Sequence, residues 1–287
     1  MRLSPKRRSQ WMRFSEVSSG AVRRFVVGDG GGVDVVRMGQ GEPIVLVPGL
    51  AGGWELLVPL ARRLARHHEV ILYGLRGDRG PAIGPVAACV GAYARDLAGL
   101  IEQLRLERPT VLGVSFGGAV ALELAVEFPH RLGALVVLGA EARFRQVLAA
   151  TIARRVLERY PLPGDNRFLN QFFNLLHGCK PEPGPLVDFV IRRCWETDQA
   201  VMAARLRALE AFDVADRLWR IDVPMLVLAG SRDVIVPADR QRSLAAAIGG
   251  ARFETLPDAG HIGFLTHGRE IARQVGQLLR QARRSLC

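Results

Sequence analysis

Val111-Leu112-Gly113-Val114-Ser115-Phe116-Gly117-Gly118 is the stretch whose reading decides the architecture. An apolar run ends at Val114 and helical patterning, Phe116 to Phe128, begins at once, with one serine between them. A serine at the tip of a sharp strand-to-helix turn has a strained backbone, and Gly113 and Gly117 leave the room that side chains two residues either side would fill. Such a turn exposes the Ser115 hydroxyl. It also places that hydroxyl near a helix N-terminus, whose free N–H groups and positive dipole end favour the negative charge that develops during acyl transfer. The G-x-S-x-G pattern occurs in ordinary turns as well; its weight here comes from the strand on one side and the helix on the other.

Outward from this turn, short β-branched or apolar runs alternate with stretches of three- and four-residue apolar spacing, as in an α/β protein with a mostly parallel sheet. Buried strands are expected at Ile44 to Val47, Glu69 to Leu72, Thr110 to Val114, Ala134 to Leu138, Met225 to Ala229 and Arg252 to Leu256. The runs Ala21 to Val27 and Val33 to Arg37, joined by a Gly-rich turn, predict an edge hairpin and bring the count to eight. Helices are expected at Trp54 to Arg66, Val86 to Leu104, Phe116 to Phe128, Ala238 to Ile248 and Phe264 to Arg283, on both faces of the sheet. Between Glu141 and Arg220 helical periodicity continues without a strand, broken by Lys180-Pro181-Glu182-Pro183-Gly184-Pro185. That segment predicts an inserted helical cap over the carboxyl ends of the strands, where open α/β sheets bind ligands. The expected organisation is a basic tail at 1–20, a core of 21–140 and 221–287, and a cap at 141–220.

From Ala21 to Arg283 the chain resembles the α/β-hydrolase fold family, in the branch with a serine nucleophile and a helical cap. The resemblance implies an acid after a later strand and a histidine after the last one. Gly230-Ser231-Arg232-Asp233, ahead of Val234-Ile235-Val236-Pro237, is similar to the family's acid loop, and Pro257-Asp258-Ala259-Gly260-His261 to its histidine loop. Asp233 and His261 are thereby implied as acid and base, with Glu141 as an alternative acid just past the strand Ala134 to Leu138. Taken singly, His261 reads as a loop histidine and Asp233 as a turn cap; three matches in one order outweigh those readings. His67, His68, His130, His177 and His267 have no such placement. Pro48-Gly49-Leu50-Ala51-Gly52-Gly53-Trp54 resembles the family's His-Gly loop, which implies Leu50 N–H as an oxyanion donor beside Phe116 N–H. Pro48 stands where that loop has its histidine, and Tyr73-Gly74 where an acidic residue often precedes a stretch like Leu75-Arg76-Gly77. The donors are main-chain groups and survive both changes, but the loop's usual supporting hydrogen bonds do not follow.

The chemistry needs each partner. A serine hydroxyl is a weak nucleophile unless a base takes its proton, and an imidazole serves as that base when a third group fixes its tautomer. The implied activity is hydrolysis of a carboxylic ester or related acyl compound through an acyl-enzyme on Ser115, with a small-molecule acyl substrate and no cofactor or metal. The same arrangement serves thioesterases, lactonases, perhydrolases and C–C bond hydrolases. Trp54, Phe144, Phe172 and Trp195 are candidate pocket residues, although aromatic residues at helical spacing also form cap cores.

The 287 residues, 49% hydrophobic and 23% charged, suffice for a substantial core and exclude a disordered or collagen-like chain. No stretch approaches the roughly 18 to 20 apolar residues of a membrane span, so no transmembrane segment is expected. The basic run Arg2, Lys6, Arg7 and Arg8 is not followed by the apolar region of a secretory signal, and a cytoplasmic location is expected. Cys89, Cys179, Cys194 and Cys287 lie far apart, which signals neither a zinc site nor a disulfide framework. Of the 39 Lys and Arg residues only Lys6 and Lys180 are lysine, and the formal net charge is +11. That charge is spread along the chain with only 7% aromatic residues, so no nucleic-acid partner is expected. Two other classes remain: a non-catalytic ligand-binding protein on the same scaffold, and a basic adaptor acting through Arg269, Arg273, Arg280, Arg283 and Arg284.

Overall fold

The computed structural model describes residues 22–28, 31–78, 89–144, 148–160 and 166–284. The expected basic tail at 1–20, the first residues of the helix expected from Val86, and Cys287 lie outside them. In chain order the elements are β1 (Val22–Val27), β2 (Gly31–Met38), β3 (Pro43–Val47), α1 (Val58–Leu64), β4 (Glu69–Tyr73), α2 (Val90–Gln103) and β5 (Thr110–Val114). They continue with α3 (Phe116–Glu127), β6 (Ala134–Leu138), α4 (Leu148–Arg159), α5 (Arg167–Leu175), α6 (Pro185–Trp195) and α7 (Gln199–Glu210). Last come β7 (Met225–Gly230), α8 (Ala238–Ala246), β8 (Arg252–Leu256), α9 (Gly263–Thr266) and α10 (Gly268–Arg284).

The eight strands form one sheet in the order β1-β2-β4-β3-β5-β6-β7-β8. β1 and β2 make the expected edge hairpin, β2 runs antiparallel to β4, and every other pairing is parallel. Side chains alternate between two apolar layers, as the two-residue period of a strand requires. Ile44 and Leu46 of β3, Leu112 of β5, Val136 of β6 and Leu226 of β7 join Leu60 and Leu64 of α1 and Ile271, Val275 and Leu278 of α10. Their neighbours Val45, Val47, Val111, Val137 and Val227 face the opposite way, onto α2, α3 and Leu244 of α8. These central strands are buried on both faces, which is why they read as unbroken apolar runs. α3 lacks a polar face; only Glu123 and Glu127 on it reach solvent, and Arg217 pairs with both, at 3.3 and 2.5 Å.

Two helices differ from expectation in their ends. The stretch from Trp54 begins as a 3-10 turn, Trp54–Leu57, and becomes α-helical only at Val58, because Pro59 has no N–H to return to the Glu55 carbonyl. The last helix is interrupted at His267, which caps α9 before α10 starts at Gly268. A side chain at Gly268 would come within 3.2 Å of Arg63, so the break lies where the chain presses on α1.

All four helices α4 to α7 lie between β6 and β7, as the periodicity predicted. The two ends of this insertion are tied side by side. Val214 N–H donates to the Ala142 carbonyl at 2.9 Å, Phe144 N–H to Phe212 at 3.2 Å, and Arg143 pairs with Asp213 at 2.5 Å. Leu157, Leu169, Met202 and Ala203 form the insertion's own apolar cluster, while Phe189, Val190 and Cys194 of α6 are buried in the sheet layer that holds α1. Burial pushes the Cys194 thiol up to about 12, so this cysteine is inert packing. Among the described residues no helix is long and apolar enough to cross a membrane.

The layers predict a sharp contrast between two apolar truncations. Leu226→Ala, at a position with no exposure, should cost about 2–5 kcal/mol of unfolding free energy. Trp219→Ala, at a side chain 80% exposed, should change it by no more than about 0.5 kcal/mol. Urea denaturation of both variants checks this, and equal losses would contradict the two-layer core.

Candidate functional site

Ser115 sits between β5 and α3 with φ 54° and ψ −117°, a conformation that costs a non-glycine residue about 1–3 kcal/mol. Its N–H donates to the Leu138 carbonyl at 2.8 Å, so the ladder to β6 persists into the turn, and its own carbonyl accepts Gly118 N–H at 2.8 Å to start the helix. The flanking glycines are required by contact. A Cβ on Gly113 would lie 2.2 Å from the Gly117 carbonyl oxygen, and one on Gly117 would lie 2.3 Å from that of Val47 and 2.5 Å from that of Pro48. The start of α3 is therefore pressed against the end of β3. Ser115 itself is half-buried, unlike the strand before it and the helix after it.

Asp233 follows β7 by three residues and His261 follows β8 by five, and the structure brings them together. Asp233 Oδ2 lies 2.8 Å from His261 Nδ1, both side chains being buried. Asp233 Oδ1 accepts the N–H groups of Ile235 and Val236, each at 2.9 Å, which fixes the plane of the carboxylate. Glu141, the alternative acid, instead faces Arg240 at 3.5 Å. The two loops are laced to each other: Ser231 N–H donates to Leu256, Arg232 N–H to Ala259, Asp258 N–H to Ser231 Oγ, and Arg232 pairs with Asp258 at 2.6 Å. From the insertion, the Leu176 carbonyl accepts Ile262 N–H at 3.1 Å.

The imidazole stands over the carboxyl end of β6. Gly139, with φ 68°, would carry a Cβ only 2.8 Å from His261 Cε1 and 3.0 Å from Nδ1. β6 separates β5, which ends in Ser115, from β7, which leads to Asp233, and neighbouring strands lie about 4.8 Å apart. The ring thus stands at the end of the strand between the one that leads to Ser115 and the one that leads to Asp233.

Sequence reasoning missed Gln241. It is wholly buried on α8; its Oε1 accepts Gly139 N–H at 2.9 Å, and its Nε2 donates to the Val236 carbonyl at 2.7 Å and faces Asp233 Oδ2 at 3.5 Å. One amide holds both the glycine under the imidazole and the loop that carries the acid. Polar residues on a surface helix usually meet solvent, so its spacing gave no signal.

The loop after β3 passes over Ser115: a Cβ on Gly49 would lie 3.7 Å from Ser115 Cβ. Phe116 N–H is in the first turn of α3, where no carbonyl one turn earlier can accept it. The Phe116 ring is buried edge-on to Tyr93, with centroids 5.0 Å apart. Two residues of the insertion hold the loop. Arg205 donates to the Leu50 carbonyl at 2.8 Å, and Thr197 Oγ1 accepts Gly52 N–H at 2.9 Å. Phe172 and Trp195 pack on the insertion's cluster, which Leu50 and Ala51 also touch, and Trp195 Nε1 donates to Asn170 at 2.8 Å. Trp54 belongs to the α1 layer and lines a cleft with Asp34, Glu55, Asp78 and Arg193, while Phe144 lies at the neck of the insertion. Among the described residues no group of three or more His, Cys, Asp or Glu side chains is placed to hold a metal ion.

Comparison with known proteins agrees with this fold. The family model described as "Alpha/beta hydrolase family" matches residues 44–274. A protein of Variovorax paradoxus strain S110 named "Putative carbamate hydrolase RutD" is 28% identical over 258 residues, covering 82% of this chain and 91% of its own. A 2-hydroxy-6-oxo-6-phenylhexa-2,4-dienoate hydrolase of Comamonas testosteroni is 26% identical over 261 residues, covering 85% and 89%. Among solved structures, a thermophilic esterase from Thermogutta terrifontis superposes with a TM-score of 0.80 at 25% identity, covering 91% of this chain and 98% of the other.

Gln241→Met removes the amide while keeping the volume, leaving Gly139 N–H and the Val236 carbonyl without that partner. The expected loss is about 1–3 kcal/mol in unfolding free energy, read from the urea midpoint. An unchanged midpoint would show that the amide does not support these loops.

Proposed function

The chain belongs to the alpha/beta hydrolase family, and from that premise we propose that it is a serine hydrolase that cleaves a carboxylic ester or closely related acyl compound. The observation that carries this reading is the buried Asp233–His261 contact of 2.8 Å, with the imidazole above Gly139, just past β6, the strand beside the one that leads to Ser115. A carboxylate can only accept at His261 Nδ1, so that nitrogen carries the proton and Nε2 keeps the lone pair that a general base needs. Ser115 Oγ attacks the substrate carbonyl as Nε2 takes its proton. The developing oxyanion is met by Leu50 N–H and Phe116 N–H, and removal of one such donor typically costs about 100- to 1000-fold in rate. The imidazolium then protonates the leaving alcohol, and the acyl group stays on Ser115. Water repeats the sequence with His261 as base, releasing the carboxylic acid and restoring the hydroxyl.

In this reading residues 141–220 act as a cap on a core formed by 21–140 and 221–287. Phe172 and Trp195, which share a cluster with Leu50 and Ala51, supply the apolar acyl side, with Trp54 and Phe144 as further candidates. The esterase likeness supports the ester; the carbamate in the other relative's name has the same feature, a carbonyl carbon bearing a heteroatom leaving group.

Labelling with a fluorophosphonate and turnover of p-nitrophenyl esters of increasing acyl length test the proposal. The wild type should label on Ser115 and turn over, Ser115→Ala should do neither while keeping its fold, and Asp233→Asn should lose about 10³- to 10⁴-fold in kcat through the histidine tautomer. Retained turnover in Ser115→Ala would refute the site. Binding of such esters without labelling or turnover would point to the ligand-binding class.

A further inference from the structure

Arg205, on α7 of the insertion, has no solvent exposure and is the largest such side chain among the described residues. A guanidinium so placed is costly unless its donors are met. Nη1 donates to the Leu50 carbonyl at 2.8 Å, while Nη2 donates to the Arg76 carbonyl at 3.0 Å and pairs with Asp78 Oδ1 at 2.7 Å. Its Cζ lies over the rings of Tyr93 and Phe116, 5.8 and 5.9 Å from their centroids. Burial opposes the charge, yet Asp78 and Tyr93 together hold the side chain above the ordinary arginine range. One side chain from the insertion thus touches both residues whose N–H groups form the oxyanion hole of the reading above, Leu50 through its carbonyl and Phe116 through its ring. Beside it, Thr197, also buried, accepts Gly52 N–H two residues further along the same loop.

The loop needs such restraint. The Leu50 N–H belongs to the Gly49–Leu50 peptide, and Gly49 has no Cβ to resist rotation of that peptide from its amino side. An oxyanion donor works only when held at about 2.7–3.1 Å from the developing charge. Arg205 and Thr197 supply a constraint from the carboxyl side.

We propose that Arg205, assisted by Thr197, is a positioning residue that sets the Leu50 N–H in the oxyanion hole, so that the hole is complete only while the insertion is docked. This rests on the serine-hydrolase reading. Arg205→Lys keeps the charge but loses the planar fork that spans Leu50, Arg76 and Asp78. With p-nitrophenyl butyrate, its kcat should fall about 10- to 100-fold with KM within about twofold. Thr197→Val, nearly isosteric, should lose about 3- to 10-fold in kcat in the same manner. An alkyl trifluoromethyl ketone, whose adduct with serine carries the tetrahedral oxyanion, should bind each variant more weakly by the factor that kcat/KM falls. Arg217→Met breaks the pairs of Arg217 with Glu123 and Glu127, at 3.3 and 2.5 Å, which tie the insertion to α3 away from Leu50 and Gly52, and should keep kcat.

Unchanged kcat and ketone affinity in a folded Arg205→Lys would overturn the proposal. So would an Arg217→Met loss equal to that of Arg205→Lys, since the effect would then be general loosening of the insertion. If Arg205→Lys does not fold, Thr197→Val decides by the same measurements. Absence of fluorophosphonate labelling in the wild type marks failure of the serine-hydrolase reading and not of the positioning role.

Discussion

The steric economy of one turn governs the arrangement of this protein. Ser115 is held at φ 54° because β5 must reverse into α3 within a single residue, and that reversal is possible only where Gly113 and Gly117 bring no side chains. The consequences spread outward. α3 starts hard against the end of β3, so all of it except Glu123 and Glu127 is buried, and the loop after β3 must pass directly over the serine. A strained turn persists only if the surroundings over-determine it, and here the bond from Ser115 N–H to Leu138 and the two packed layers do so.

Parallel strands in a fixed order then act as a ruler. With β6 between β5 and β7, two loops a long way apart in sequence deliver Asp233 and His261 to positions one strand apart, and the imidazole fills the space above Gly139. Burial makes that geometry strict, because each polar group removed from water must find a partner inside. Gln241 answers that requirement for the Gly139 N–H and the Val236 carbonyl, coupling the floor beneath the histidine to the loop that carries the acid.

The arginine-rich composition acquires a structural meaning. Arg76 with Asp96, Arg193 with Glu55, Arg205 with Asp78 and Arg217 with Glu123 and Glu127 are locks within the molecule, several of them at the seam between insertion and core. Arginine suits this role because its planar fork serves several acceptors at once. On α10, Arg273 pairs with Glu270 and Arg283 with Glu42, which leaves that helix less of a bare basic face than its sequence suggests.

The sequence by itself determined the layered architecture, the eight strands, the place of the insertion and the elbow at Ser115, because these follow from local periodicity and from glycines at fixed offsets. Asp233 and His261 were implied only by the resemblance of their loops to those of a known family. Only the tertiary structure decided that Asp233 and not Glu141 meets the imidazole, that Gln241 is wholly buried, and that Arg205 reaches Leu50. The physical reason is range. Periodicity records which face of an element is apolar, whereas the partner of a buried polar group is set by how distant segments stack, and a lone glutamine or arginine on a helix carries the same local signature whether it meets water or another part of the chain.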